Sequence, residues 1–341
     1  MAKKIPFHVV VQKIQSGKIT ENDLRRYFVV ERNPKRPFDF HARINLEHVD
    51  VTNVENSGTL ADPLLKDAAT SLEVKRLGAR RRTTGFQRQS PIIAEGDSWF
   101  KLPDLHPIVP WTLINFLQQQ YSIINLAYWG DTFADMIQQG EFWSYLESGQ
   151  ADVFLFSAGG NDILGGGELW QYLNIFDVDH AKASDAAYYI KQEFYDNLAI
   201  IVGEYESLIQ QVKARAPHVI MVGHGYDYAI PRIDGPWLGS PMIRQGLYPD
   251  ARPDLCQAIV RVMIDAFNVK LNHLQQNYAN YQYVNLRGTI KPDEWWDELH
   301  PMDKGARRTA AKFAGVLEKL PTSGAAQSLM TTRRSRLLRA A

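Results

Sequence analysis

The chain has 341 residues, of which 45% are hydrophobic and 22% are charged, which is typical of a globular protein with a sizeable buried core. Its 38 basic and 38 acidic residues give a formal net charge of zero, so the overall charge does not favour binding to nucleic acid or to an anionic membrane. The single cysteine, Cys256, excludes an intramolecular disulfide and a metal site built from several cysteines.

The N-terminus carries no recognisable export signal. A basic start is followed by only a short apolar run, without the apolar core and small-residue cleavage site of a signal peptide. No stretch of about 18 consecutive apolar residues occurs, so we expect no integral membrane segment. The default expectation is a cytoplasmic protein, and secretion by a route without a cleaved signal stays open as an alternative.

Residues 1–90 are predicted to form a charged, helical N-terminal extension. Thr20 is expected to cap a helix, because Asp23 follows three residues later and an apolar run comes next. The extension ends in a basic run at residues 80–82, which is typical of a solvated helix or linker. Its role is open, and docking of a partner is one hypothesis. At the other end, residues 321–341 are small, polar and basic, and are predicted to be a flexible tail.

Residues 91–320 alternate between strand and helix patterns and are predicted to form the main domain. Short apolar runs predict five strands, at 91–96, 121–128, 152–160, 218–225 and 281–288. Helical periodicity is clearest at 131–147, 193–215, 253–279 and 303–319. Asp131, Asp254 and Asp303 are the expected N-caps. Apolar strands joined by helices predict a parallel sheet between two helical layers, with ligands bound beyond the carboxyl ends of the strands.

Residues with useful chemistry follow four of the five predicted strands. Ser98 comes just after the first strand, where its hydroxyl can be exposed at the sheet edge. Gly130 follows the second strand and precedes a predicted helix, whose first backbone N–H groups are unpaired. Asn161 follows the third strand and can offer its side-chain NH₂ to the same space. Asp297 and His300 follow the fifth strand. Their spacing of three residues allows the Asp297 carboxylate to accept a hydrogen bond from Nδ1–H of the imidazole, so that Nε2 is available as a base.

Each of these signals also fits a structural role. Gly-Asp-Ser is a common turn, a glycine often joins strand to helix, and Asn161 can form an Asx-turn. Their order is more specific than any one of them, because a nucleophile, backbone and amide donors, and a base all follow strands of one sheet. That set is what acyl transfer requires.

Four segments resemble, in the same order, the four sequence blocks of the SGNH (GDSL) hydrolase superfamily of esterases and lipases. They are Gly96-Asp97-Ser98, Gly130 within NLAYWGDT, Gly159-Gly160-Asn161-Asp162, and Asp297-Glu298-Leu299-His300. The resemblance spans about residues 91–320 and implies a flavodoxin-like α/β/α sandwich with a five-stranded parallel sheet.

The resemblance also implies roles for individual residues. Ser98 is then the nucleophile, His300 its base and Asp297 the residue that orients His300. The oxyanion hole is then formed by the backbone N–H groups of Ser98 and Gly130 and by the side chain of Asn161. It implies no cofactor.

Two tryptophans stand next to these blocks. Trp99 follows the predicted nucleophile, and Trp129 precedes the glycine of the second block. Either ring can form a wall of the substrate pocket or pack against a neighbouring helix, and both explanations stay open. The scattered histidines and the absence of a P-loop predict neither a metal site nor a phosphate-binding loop.

Two connections, residues 163–176 and 226–249, are longer than the loops usual in α/β units. Both leave the carboxyl edge of the predicted sheet and are expected to form a cap or an acyl pocket. Trp237 and Leu238 are further candidates for the pocket lining, and a self-packed loop is the alternative. His224 and Asp227, near the same edge, are better explained by buried structural pairing than by a second catalytic role.

The sequence therefore predicts a serine esterase or lipase that hydrolyses carboxylic esters through an acyl-enzyme. The apolar connections favour a lipid or other acyl ester as the small-molecule substrate. An acyltransferase and a carbohydrate (acetyl) esterase of the same fold are alternatives. A third alternative is an effector or binding protein that uses the domain as a scaffold, although the intact set of site residues argues against it.

Overall fold

The computed structural model of the protein describes residues 4–33, 36–52, 64 and 90–321. The chain forms two compact units, one of residues 1–85 and 102–111 and the other of residues 86–101 and 112–341. The predicted basic run at 80–82 and the predicted tail from residue 322 lie outside the described residues. The predicted domain boundaries and the role of residues 1–90 stay predictions.

The first unit contains short helices and strands. They are β1 (Ile5–Pro6), α1 (Phe7–Gln15), α2 (Glu21–Tyr27), β2 (Phe28–Asn33), β3 (Arg36–Ile44) and β4 (Val49–Asp50). α1 buries one apolar face, with Phe7, Val10 and Ile14. α2 has the predicted cap, because the backbone N–H of Asp23 donates to the Thr20 hydroxyl and that of Thr20 to the Asp23 carboxylate, each at 3.1 Å.

β2 and β3 form an antiparallel pair that the sequence did not predict. The buried residues of this pair include Phe28, Ala42 and Ile44. Their neighbours in the chain, Val29 and Arg43, are exposed. This alternation gives only a few apolar residues on one face, and charged residues interrupt them. Such a pattern resembles that of a charged helical segment, which is what the sequence predicts here, but the extension is not wholly helical.

The second unit is built on a five-stranded parallel sheet. Its strands are β5 (Ile92–Gly96), β6 (Ile123–Asn125), β7 (Val153–Ser157), β8 (Ile220–His224) and β9 (Tyr281–Val284). They lie in the order β6-β5-β7-β8-β9, and every neighbouring pair is parallel. All five predicted strands are confirmed. Gly96 pairs with Ser157, and His224 with Val284, so the carboxyl ends of the strands meet at one edge.

Helices cover both faces of this sheet. They are α3 (Leu113–Leu117), α4 (Phe133–Gln139), α5 (Phe142–Glu147), α6 (Gly160–Leu164), α7 (Gln192–Arg215), α8 (Gly239–Arg244), α9 (Pro253–Asn277) and α10 (Asp303–Leu317). Phe313 of α10 packs against His224 on one face, with ring centroids 5.6 Å apart. Phe133 of α4 and Tyr205 of α7 pack against Phe156 on the other, at 5.1 and 5.5 Å. The predicted three-layer α/β/α sandwich is confirmed. Within the described part of the chain, no helix has both the length and the apolar character needed to span a bilayer.

The predicted helix caps are wrong by one or two residues. Thr132, and not Asp131, caps α4, because its hydroxyl accepts the backbone N–H of Asp135. Asp254 and Asp303 lie inside the first turns of α9 and α10 instead of before them. An acidic side chain in the first turn also interacts favourably with the helix dipole, so sequence alone does not separate these neighbouring positions.

Glu95 is the only charged residue of β5, and it is buried. Its Oε1 accepts the backbone N–H of Gly96 at 2.8 Å, whereas its Oε2 has no hydrogen-bond partner among the described residues. Burial raises the pKa of Glu95 to about 7, and the negative charges of Asp131 and Glu141 act in the same direction. The carboxyl group is therefore neutral in mildly acidic solution.

Replacing Glu95 with Gln should change how stability depends on pH. Between the ordinary pKa of 4.5 and the raised value of about 7, Glu95 holds a proton in the folded state that the unfolded chain releases. The protonated carboxyl group therefore contributes its full stabilisation of the folded state below this pH range, and that stabilisation is lost as the pH rises through it. Glu95→Gln stays neutral throughout. Its free energy of unfolding, measured with urea from pH 5 to 8, should rise relative to the wild type with pH, and a constant difference would contradict this.

Candidate active site

The turn after β5 presents Ser98 at the carboxyl edge of the sheet. Gly96 leads into it, and a Cβ there would lie 2.8 Å from both the Cβ and the carbonyl oxygen of Ser157, so no side chain fits. The carboxylate of Asp97 accepts the backbone N–H of Trp99 at 3.0 Å and fixes the turn. Ser98 itself is only 4% exposed.

Ser98, His300 and Asp297 form a hydrogen-bonded series. Nε2 of His300 lies 2.8 Å from Oγ of Ser98, and Nδ1 lies 2.8 Å and 2.9 Å from the two carboxylate oxygens of Asp297. Asp297 also accepts the backbone N–H groups of Leu299 and His300, at 2.8 and 2.7 Å. These two bonds hold the carboxylate in the turn that carries the imidazole. The structure thus brings Ser98 together with Asp297 and with His300, which lies 202 residues later in the sequence.

Three hydrogen-bond donors predicted from the sequence lie at the same edge. The backbone N–H groups of Ser98 and Gly130 have no acceptor among the described residues. Gly130 has a φ of 90°, which favours glycine. Asn161, in the first turn of α6, donates one amide hydrogen to the backbone carbonyl of Asp131 at 2.7 Å. Its NH₂ group has a second hydrogen, and the bond to Asp131 brings the amide next to the Gly130 turn.

An apolar cavity opens beside Ser98 and Asn161 and extends between α7 and α9. Besides these two residues its lining is mostly aliphatic and aromatic, and includes Trp99, Ile163, Leu164, Leu169, Phe194, Leu198, Ile201, Tyr226, Ala229, Leu238, Val260, Met263, Ile264, Phe267 and Leu299. Both long connections and both long helices contribute to it. Such a cavity suits an apolar chain.

Of the four residues suggested for the pocket, two lie on this lining and two do not. Trp99 and Leu238 face the cavity. Trp129 stacks on Tyr128 instead, with ring centroids 4.2 Å apart. Trp237 is fully buried and its ring packs edge-on against His300, at 5.6 Å. The structure thus brings Trp237 against the imidazole of His300.

Sequence reasoning missed Glu298, which anchors the second long connection beside His300. Its buried carboxylate accepts four backbone N–H groups at 2.7–3.1 Å, those of Arg232, Trp237, Leu238 and Gly239. In return, the guanidinium of Arg232 donates to the backbone carbonyls of Trp295 and Trp296, at 2.9 and 3.0 Å. A Cβ at Gly235 would collide with the Glu298 carboxylate. Gly235, the first glycine of the sequence GPWLG, was the available signal that another group approaches the backbone closely here.

A second polar chain lies next to the turn that carries Ser98. Oγ of Ser157 donates to Asp97 at 2.8 Å and lies 2.9 Å from Nε2 of His224. Tyr226 donates its hydroxyl to the other oxygen of Asp97 at 2.5 Å. Burial lowers the pKa of His224 to about 3 and raises the pKa of Asp97 to about 6, although three donors to Asp97 act in the opposite direction.

The expected pairing of His224 with Asp227 is wrong. His224 bonds within the buried chain, whereas Asp227 accepts backbone N–H groups from Tyr228 and from residues 288–290. Asp227 therefore ties the segment after β8 to the segment after β9.

A five-stranded parallel sheet with a serine, a histidine and an aspartate bonded in series at its carboxyl edge is the arrangement of a serine ester hydrolase. Residues 94–308 match the model of the GDSL-like lipase/acylhydrolase family. This match covers more than half of the chain, which therefore belongs to that family, as its four sequence blocks predicted. The chain matches no curated protein sequence.

Several solved structures are similar to this chain at low sequence identity. A lipase from a goat rumen metagenome is 13% identical, with a TM-score of 0.45, and the match covers 67% of this chain and 97% of that one. Phospholipase A1 from Streptomyces albidoflavus NA297 is 15% identical, with a TM-score of 0.43, and the match covers 66% of this chain and 98% of that one. An acetyl xylan esterase from Geobacillus stearothermophilus is 14% identical, with a TM-score of 0.41, and the match covers 67% of this chain and 94% of that one. At this level of similarity they give no argument about the substrate.

Replacing Glu298 with Gln should destabilise the second unit. Whichever carboxylate oxygen becomes NH₂, two backbone N–H groups lose their acceptor, and a buried unpaired donor costs about 1–3 kcal/mol. With two such donors, the free energy of unfolding measured with urea should fall by at least that amount. Asp293→Asn, an exposed change on the same segment, is the control and should leave stability unchanged. Equal stability of the two variants would contradict the anchoring role.

Proposed function

We propose that Ser98 is the nucleophile of this ester hydrolase, with His300 as general base and Asp297 as the residue that orients it. The observation that carries the proposal is the 2.8 Å contact between Oγ of Ser98 and Nε2 of His300, together with Asp297 on the other ring nitrogen. With Nδ1–H donated to Asp297, Nε2 has a lone pair directed at the serine hydroxyl.

The reaction then takes two steps. Oγ of Ser98 attacks the ester carbonyl carbon while its proton passes to Nε2 of His300. The negative charge on the carbonyl oxygen is stabilised by the N–H groups of Ser98 and Gly130 and by the amide of Asn161. The bond to the alcohol breaks, and His300 gives that alcohol its proton. Water then attacks the acyl-enzyme, passes a proton to His300 and releases the acid, and His300 returns the proton to Ser98.

Ser157, His224 and Asp97 are also a serine, a histidine and an aspartate in contact, but their connectivity does not support catalysis. Asp97 bonds to the serine and not to the imidazole. Since Ser157 gives its only hydrogen to Asp97, Nε2 of His224 must be the donor in their contact and cannot take a proton from it. Ser157 is also fully buried and does not line the apolar cavity, whereas Ser98 does. We assign this set a structural role.

Two variants separate these sets of residues. Ser98→Ala should lower kcat on p-nitrophenyl esters by about 10⁴-fold or more, as loss of a serine nucleophile does, and should abolish labelling by a fluorophosphonate. Ser157→Ala removes a hydroxyl from the buried chain and should still be labelled at Ser98. Labelling that survives Ser98→Ala, or that disappears only in a folded Ser157→Ala protein, would overturn the assignment.

We further propose that the acyl part of the substrate occupies the apolar cavity, which makes a lipid or another ester of an apolar acid the substrate class. The cavity begins at Ser98 and Asn161, where the carbonyl group must lie, and continues between two helices along apolar side chains. Burying each methylene there is worth about 0.8 kcal/mol, so affinity should rise with chain length until the cavity is filled.

Filling part of the cavity should shorten the preferred acyl chain. Ala229 lines it, and Ala229→Leu adds three carbons to the wall. We expect the ratio of kcat/KM for long over short p-nitrophenyl esters to fall roughly 10-fold or more, because a steric mismatch of one methylene costs about 1–3 kcal/mol. Ala187→Leu, at an exposed position, is the matched control. An unchanged ratio in Ala229→Leu would rule out this cavity as the acyl site.

A further inference from the structure

Tyr226 is held in a backbone conformation that is unfavourable for its residue type. Its φ is 64°, and it is the non-glycine residue with a positive φ in the described part of the chain. A bulky side chain in this left-handed region is strained, and such strain persists where the surrounding contacts fix the residue. Tyr226 follows β8 directly and is almost fully buried at the wall of the apolar cavity.

The surrounding contacts hold the ring rigidly. It packs edge-on against Trp99 and His224, with ring centroids 5.3 and 5.0 Å apart, and stacks on Phe267 at 6.0 Å. Its backbone N–H donates to Nδ1 of His224 at 3.2 Å. The position of the hydroxyl is therefore set by neighbours on three sides.

The hydroxyl connects two turns of the active site. It donates to Asp97, the residue before Ser98, at 2.5 Å, and accepts the backbone N–H of Gly160, the residue before Asn161, at 3.0 Å. A Cβ on Gly160 would lie 3.0 Å from this hydroxyl, so glycine allows the close approach. Burial keeps the pKa of Tyr226 well above its ordinary value, so the phenol retains the hydrogen that it donates.

We propose that Tyr226 is a positioning residue that fixes the distance between the Ser98 turn and the Asn161 turn. The two turns end different strands, and no other side-chain group among the described residues bonds to both Asp97 and Gly160. A fixed separation lets the Ser98 N–H and the Asn161 amide donate to the same oxyanion. This inference rests on the proposed roles of Ser98 and Asn161.

Tyr226→Phe tests the hydroxyl, since it keeps the ring and its packing. Active sites are counted by fluorophosphonate labelling, so that kcat refers to folded enzyme only. We expect kcat to fall about 10- to 100-fold with KM nearly unchanged, because a shifted donor weakens the transition state and not substrate binding. Tyr228→Phe, which removes a hydroxyl bonded to Asp265 outside the site, is the matched control and should leave both constants unchanged.

Gly160→Ala supplies a second test if Tyr226→Phe does not fold. The added Cβ presses on the Tyr226 hydroxyl and should also lower kcat with little effect on KM. A labelled variant with an unchanged kcat, or with kcat and KM altered in proportion, would overturn the positioning role alone. A wild-type protein that is active but not labelled at Ser98 would overturn the proposed nucleophile and this inference together.

Discussion

The buried carboxylate of Asp97 is the interaction on which the active site depends. It accepts the backbone N–H of Trp99 and the hydroxyl hydrogens of Ser157 and Tyr226. One bond shapes the turn that presents Ser98, and the other two fasten that turn to β7 and to the segment after β8. Removing a carboxylate from water is costly, which is why its pKa is raised to about 6, and three donors offset part of that cost. A hydrophobic residue could fill the same space, but it could not hold the backbone of the turn.

Other buried carboxylates around the site also accept backbone N–H groups. Asp297 accepts two backbone N–H groups, Glu298 four, and Asp227 four. The segments that they hold have little helix or strand structure of their own, so their N–H groups would otherwise be buried without acceptors. Parallel strands bring these segments to one edge, and the buried carboxylates then fix them there. The rigidity of the site thus comes from side-chain acceptors that replace missing secondary structure.

The features that sequence reasoning found are local in the chain. Five apolar runs predicted five strands, and Ser98, Gly130, Asn161 and His300 followed those strands in an order that identified the family. What it missed depends on contacts between distant segments. Glu298 looked like a spacer within Asp-Glu-Leu-His, because its four partners lie about 60 residues away in the sequence.

Tyr226 gave no signal either, since neither its positive φ nor its bonds to two other turns leave a local pattern. The antiparallel strand pair β2–β3 of the first unit was not predicted for another reason. An alternating strand with one exposed face contains too few apolar residues to be distinguished from a charged helix.

The protein contains the same three residue types twice, and only their connectivity separates the two sets. In one, the aspartate bonds to the imidazole, so the other ring nitrogen can accept the serine proton. In the other, the aspartate bonds to the serine, so the imidazole must donate, and its low pKa keeps it neutral. Proximity of Ser, His and Asp is therefore a poor criterion for a catalytic triad. The order of the hydrogen bonds decides which serine can pass its proton to an imidazole. The second set has a structural part instead, because its aspartate, Asp97, holds the turn that presents Ser98.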